Sequence, residues 1–237
     1  MDSLRVWSRF TVTRKDGTVL KLRIQDMPSE RANDVIDFNI EYFVKHEVFH
    51  KAAGVSDNPK ALEECREFDS EMKLDETDHV TICCLDGPDG VVGDLLGVSS
   101  MSYSTKDDED FDIGDIEFKT EEMRKFFEFI DVQISLYDTM KEQNVDKILD
   151  GRGMAVHPDY RGLGIATEFL KIRSTICKER NVPITVACMT SLGSQKAAER
   201  AGWETVFQVP FLDLEERLGV TFDGAPPYLK IMLARVS

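Results

Sequence analysis

The segment Met154-Ala155-Val156-His157-Pro158-Asp159-Tyr160-Arg161-Gly162-Leu163-Gly164-Ile165-Ala166 constrains this chain more than any other. An apolar run beginning at Ile148 leads into it, and Ile165, Phe169, Ile172 and Ile176 follow at spacings of four, three and four. The hydrophobic period therefore switches from strand to helix across a turn with two glycines, which predicts a strand over 148–156 and an amphipathic helix after it. Gly162 and Gly164 permit left-handed backbone and close approach. Successive amides can then converge on a phosphate at the positive end of the helix dipole, with Arg161 adding charge. A structural strand-to-helix connection would carry the same glycines. A dinucleotide-binding turn is disfavoured, because no third glycine follows at the required place.

The rest of the chain alternates helix and strand patterns with no linker or repeat to divide it, so one domain over residues 1–237 is expected. Residues 29–53 read as one long helix, and Asn58-Pro59 caps a second that carries Leu62, Cys65, Phe68 and Met72. Residues 80–85 and 91–103 read as an antiparallel hairpin around the turn cluster 86–90, and the acidic stretch 107–115 as a solvated loop. Thr120 caps a third helix with Met123, Phe127, Ile130, Ile134 and Tyr137 as its apolar stripe. Residues 184–188 read as a strand, 191–201 as a short helix ended by Gly202, and 205–211 and 228–234 as final strands. The architecture is α+β with a mixed sheet.

A formal net charge of -15 is the wrong sign for a nucleic-acid or anionic-membrane partner; surplus surface carboxylate is more often a plain solubility feature, although it would also concentrate small cations such as amines. The N-terminus lacks a basic-then-apolar leader pattern, no apolar run reaches a membrane span, and five cysteines lack metal-ligand spacing. These features lead us to expect a soluble, cytoplasmic protein with free thiols.

Arg161-Gly162-Leu163-Gly164-Ile165-Ala166 matches the R/Q-x-x-G-x-G/A signature of the GNAT superfamily of N-acetyltransferases. The resemblance extends through Val156-His157-Pro158, the strand 184–188, the helix from Ser191 and Gly202-Trp203, about the last 90 residues. It implies the GNAT fold: a mixed, mostly antiparallel central sheet flanked by helices, with a splay between two parallel central strands. It also implies acetyl-CoA as co-substrate in that splay. The backbone of Met154, Ala155 and Val156 would then face the pantetheine arm, and the amides of Arg161, Gly162, Leu163, Gly164, Ile165 and Ala166 the pyrophosphate.

Tyr42-Phe43-Val44-Lys45-His46-Glu47-Val48-Phe49 resembles the aromatic-then-Glu segment of insect-type arylalkylamine N-acetyltransferases, which implies Glu47 as general base. The spacing agrees, since a continuous helix would set Glu47 at the end of a stripe formed by Ile36, Ile40 and Phe43. Those enzymes usually continue with Pro-Leu, where this chain has Val48-Phe49, a change that bears on the acceptor pocket. The same residues spell His46-Glu47-Val48-Phe49-His50, an H-E-x-x-H match that would put two imidazoles on one helix face as zinc ligands. Ala53 and Ser56 stand where its extended form needs a glycine and a third histidine, so a zinc hydrolase is the weaker reading and no metal is expected.

Met189-Thr190-Ser191-Leu192-Gly193-Ser194 resembles the family's Thr-Ser-x-x-Ser segment, with Thr190 and Ser194 four apart on one helical face or simply capping the helix. Ala197 and Ala198 occupy the place where many members carry a tyrosine acid, which leaves Ser194 or water as candidates. His79, His157, Tyr160 and Trp203 read as structural. The expectation is an acetyl-CoA-dependent N-acetyltransferase acting on a primary amine, an arylalkylamine or a polyamine. The alternative from another class is a non-catalytic acyl-CoA-binding module on the same fold.

Overall fold

The computed structural model describes residues 4–72, 77–87, 91–108, 114 and 116–236. One eight-stranded sheet runs through it in the order β1-β2-β3-β4-β5-β6-β8-β7. The strands are β1 (Val6–Thr13), β2 (Val19–Asp26), β3 (Asp78–Leu85), β4 (Gly97–Thr105), β5 (Lys147–Val156), β6 (Ile184–Met189), β7 (Glu204–Pro210) and β8 (Tyr228–Arg235). Every neighbouring pair is antiparallel except β5 and β6, as expected of a GNAT fold.

Helix α6 (Ile165–Arg180) crosses one face of the sheet, sealing it with Ile165, Phe169, Ile172 and Ile176, and α7 (Leu192–Arg200) packs beside it around Trp203. The other face is covered by α1 (Ala32–Asn39), α2 (Val48–Ala53), α3 (Pro59–Met72) and α4 (Glu121–Ser135), whose core includes Ile36, Phe49 and Phe127. Two further helices are α5 (Thr139–Gln143) and α8 (Phe211–Leu218). Among the described residues no helix is long and apolar enough to cross a membrane.

One strand boundary and two whole strands differ from expectation. Strand β4 begins at Gly97, not at 91, because the carbonyls of Val91, Val92 and Gly93 are taken by Arg23 and Arg31 and not by a neighbouring strand. Strands β1 and β2, with the turn at Asp16-Gly17, stand where no element was expected. Of the expected turn cluster and acidic loop, residues 88–90, 109–113 and 115 lie outside the described residues. In α4 the expected stripe holds at Met123 and Phe127 but fails at Ile134, which is exposed, and Phe129 is buried in addition.

His79, at the start of β3, joins the outer strands. Its Nε2 lies 2.9 Å from Asp26 Oδ1 and its Nδ1 3.1 Å from the Tyr103 hydroxyl, while Trp7 Nε1 donates to the same Asp26 oxygen at 2.5 Å. Burial pushes the Asp26 carboxyl up, but the hydrogen bonds from His79 and Trp7 and the charge of His79 outweigh it and hold it below the usual carboxylate range. A group whose folded pKa is depressed contributes stability that is present above its unfolded pKa and lost as pH falls through the folded one. Asp26→Asn is therefore expected to cost about 1.5 kcal/mol at neutral pH, converging with wild type below about pH 4, as read by urea unfolding across pH.

Candidate active site

The parallel strands β5 and β6 pair only at Leu149 with Thr185 and Asp150 with Val186, and then part. A bulge at Arg152 re-aims β5 at the same place, since Ser100 pairs with Gly153 but Met101 with Gly151. His157 N donates to Leu96 O in the register that pairs Val98 with Ala155. Bonded and non-bonded pairs alternate in an antiparallel ladder, so the amide and carbonyl of Ala155 are spent on β4, while those of Met154 and Val156 turn into the fork. Of the three residues expected there, two face the opening.

Beyond the fork, the chain turns through Gly162 (φ 77°) and Gly164 (φ 86°) into α6. Both are left-handed, and a Cβ on either would meet no protein atom within 4 Å. Arg161 N donates to Pro158 O and Arg161 Nε to Val156 O at 3.0 Å, so Arg161 braces the turn. The amides of residues 162–166 have no backbone or side-chain partner among the described residues. Five such donors at a helix N-terminus suit the pyrophosphate of a coenzyme.

A residue that sequence reasoning missed closes the base of the fork. Arg173 reaches from α6 into the gap between the strands, donating from Nη2 to Leu149 O (3.0 Å) and Val186 O (2.9 Å) and from Nε to Thr185 Oγ1 (2.7 Å). Burial lowers its pKa to about 10, opposed by the charge of Asp150, so it remains a cation at neutral pH. Gly151 leaves room for it, since a Cβ there would stand 2.9 Å from Arg173 Nη1 and 2.7 Å from Ala187 Cβ. The available signal was a charged residue four positions after Phe169, on the buried stripe.

Glu47 lies beside the fork, though not on the continuous helix expected over 29–53. Residues Ser29–Arg31 form a 3-10 turn, α1 ends at Asn39, Ile40–Val44 widens into a π-turn, and the chain then leaves the helix. Glu47 is extended (φ -73°, ψ 138°) and is itself the N-cap of α2. Its Oε2 accepts from Phe49 N (2.9 Å), His50 N (3.1 Å) and His50 Nδ1 (2.9 Å), and its Oε1 from Thr190 Oγ1 (3.0 Å). The break has a local cause, because the carboxylate satisfies the first amides of α2 in place of a preceding helical turn. Burial pushes the Glu47 carboxyl up. Hydrogen bonds from His50 and Thr190, with the attraction of His50, more than offset this and leave it below the usual range.

The same break removes the geometric basis for zinc. His46 sits in the turn before the cap, so His46 and His50 share no helix face, and His50 Nδ1 is engaged by Glu47. Among the described residues no three His, Cys, Asp or Glu side chains gather as a metal site.

Thr190 and Ser194 also separate. Thr190 precedes α7 and bonds Glu47, whereas Ser194 completes a capping box with Ser191, donating to Ser191 O at 2.9 Å. Cys188 on β6 sits near the carboxylates; burial first, then the charges of Glu47 and Asp150, push its thiol well up. It therefore remains a neutral thiol rather than a nucleophilic thiolate. His157 and Trp203 are structural: His157 Nδ1 accepts from Asp159 N and its ring meets Tyr42, while Trp203 is buried under α7.

No protein-family model matches the sequence. Among solved structures, the chain is similar to a putative arylalkylamine N-acetyltransferase 7 from the yellow fever mosquito Aedes aegypti, with TM-score 0.83 and 25% identity over 99% of this chain and 96% of that one. Arylalkylamine N-acetyltransferase 2 from Aedes aegypti superposes with TM-score 0.73 at 21% identity, covering 91% of this chain and 99% of that one. A Drosophila melanogaster polyamine N-acetyltransferase that forms N-acetylagmatine gives TM-score 0.65 at 10% identity, covering 91% of this chain and 100% of that one. The chain has the GNAT fold and resembles the insect arylalkylamine N-acetyltransferases.

Proposed function

We propose that this protein, as one N-acetyltransferase domain, transfers acetyl from acetyl-CoA directly to a primary amine, an arylalkylamine or a polyamine. The observation that carries the reading is the meeting of Glu47 and Thr190 beside a fork whose far end presents the unpartnered amides of residues 162–166. The similar mosquito and fly proteins are named for transfer to amines, which supports the same class of acceptor here.

An ammonium with a pKa near 10 must lose a proton before its lone pair can attack the thioester. In this reading the ionised Glu47 drives that loss, directly or through water. The C–N bond then forms as the C–S bond breaks, so that an alkylammonium and acetyl-CoA give the N-acetylamine, the CoA thiol and one proton. The backbone of Met154 and Val156 binds the pantetheine arm, and donors at the end of β5 polarise the carbonyl. Holding both reactants supplies proximity. Protonation of the leaving thiolate falls to water, or to Ser194 once its bond to Ser191 is exchanged. Cys188, held as a thiol, is not required as an acyl carrier. The reading carries with it a cytoplasmic enzyme that acts without metal, nucleic acid or membrane.

The test is acetyl transfer to a panel of arylalkylamines and polyamines with and without EDTA. Transfer is expected to be unchanged by the chelator. Loss of activity on chelation, restored by zinc, would return the metal reading, and tight acetyl-CoA binding without turnover would return the binding module.

A further inference from the structure

Three protein donors crowd Oε2 of Glu47 and Thr190 Oγ1 donates to Oε1, so the carboxylate is largely committed to groups of the protein. A carboxylate only accepts, so at 2.9 Å the Nδ1 of His50 is the donor and a neutral ring keeps its lone pair on Nε2. That Nε2 has no hydrogen-bond partner among the described residues, although His50 is buried at 6% exposure. The imidazole is fixed by stacking on Phe126 (centroids 3.9 Å apart) and by the edge of Phe43. Phe43 in turn lies over Gly153 in the fork, so the ring stands next to the place where the strands part.

We propose that Nε2 of His50 receives the amine's proton, with Glu47 remaining a carboxylate that fixes the ring's tautomer and stabilises the imidazolium. This rests on the acetyl-transfer reading and moves the proton acceptor from Glu47 itself to the imidazole that Glu47 holds. One proton passes from the ammonium, directly or through a water, to Nε2 and is later released to solvent; Nδ1–H stays on Glu47 throughout. A carboxylate behind an imidazole orients hydrolase histidines in the same way. Few other ionisable groups face the ring. Glu47 touches it, and Cys188 of β6 faces Glu47 as a neutral thiol. On α4, Glu122 is bonded to Asn58 and Lys125 lies over Phe129, while Lys45 on the preceding turn pairs with Glu41.

The experiment compares wild type, His50→Gln and Glu47→Gln in the pH dependence of kcat/KM, alongside ¹⁵N NMR of histidine-labelled wild type. The expected results are a kcat about 10²-fold lower in His50→Gln with KM for acetyl-CoA retained, an acidic limb displaced to lower pH, and a neutral His50 protonated on Nδ1. An unmoved limb in folded His50→Gln, or an Nε2–H tautomer in wild type, would overturn the proposal. If His50→Gln does not fold, the wild-type tautomer decides, its signals being assigned through variants of the other three histidines. If wild type acetylates no amine, the transfer reading falls, and the tautomer still decides whether Nε2 can accept a proton.

Discussion

Glu47→Gln is expected to lower kcat by about 10²- to 10⁴-fold at neutral pH while leaving acetyl-CoA binding intact. The substitution keeps the size of the side chain and an oxygen able to accept from Phe49 N and His50 N, so the cap of α2 survives. What it removes is the negative charge that the hydrogen bonds from His50 and Thr190 hold ionised at neutral pH. The loss should shrink as pH rises, because more of the amine is already free. A kcat within about twofold of wild type across the pH range, measured by thiol release, would remove Glu47 from the chemistry.

Gly164→Val is expected to weaken acetyl-CoA binding by about 2 kcal/mol or more, roughly 30-fold in Kd. Nothing in the protein lies within 4 Å of a Cβ at this position, so no clash inside the fold causes the loss. Two effects combine. A β-branched residue at φ 86° is strained, at about 1–3 kcal/mol, and its branches stand over the row of amides that must approach phosphate. Calorimetry with acetyl-CoA on a variant of native circular dichroism checks this; unchanged affinity would place the pyrophosphate elsewhere.

The strand, the glycine turn and α6 were legible because period and turn chemistry agree at the local level. The hairpin of β3 and β4, the Asn58-Pro59 start of α3 and the Ser191 cap of α7 were legible for the same reason. The break before Glu47 was not, since no Pro or Gly interrupts residues 29–53 and the widened turn at Ile40–Val44 preserves enough apolar spacing to imitate one helix. Glu47 stands beside the fork, but its setting comes from a cap and not from the end of an apolar stripe. Strand β2 carries polar Arg23 and Gln25 among its apolar residues, and both are buried, Arg23 bonding Gln25 at 2.7 Å and reaching Val91 O, so no simple alternation marks it. Thr190 and Arg173 join segments far apart in sequence, so their partners appear only once the sheet is assembled.

The central claim is direct transfer from acetyl-CoA to an amine, and the most direct measurement is thiol release from acetyl-CoA with and without amine, paired with mass spectrometry of amine and protein. The account predicts negligible release and no acetylated protein without amine, and with amine one N-acetyl product for each thiol. Thiol release that ignores the amine, acetyl accumulating on the protein, or no release with any arylalkylamine or polyamine would contradict it.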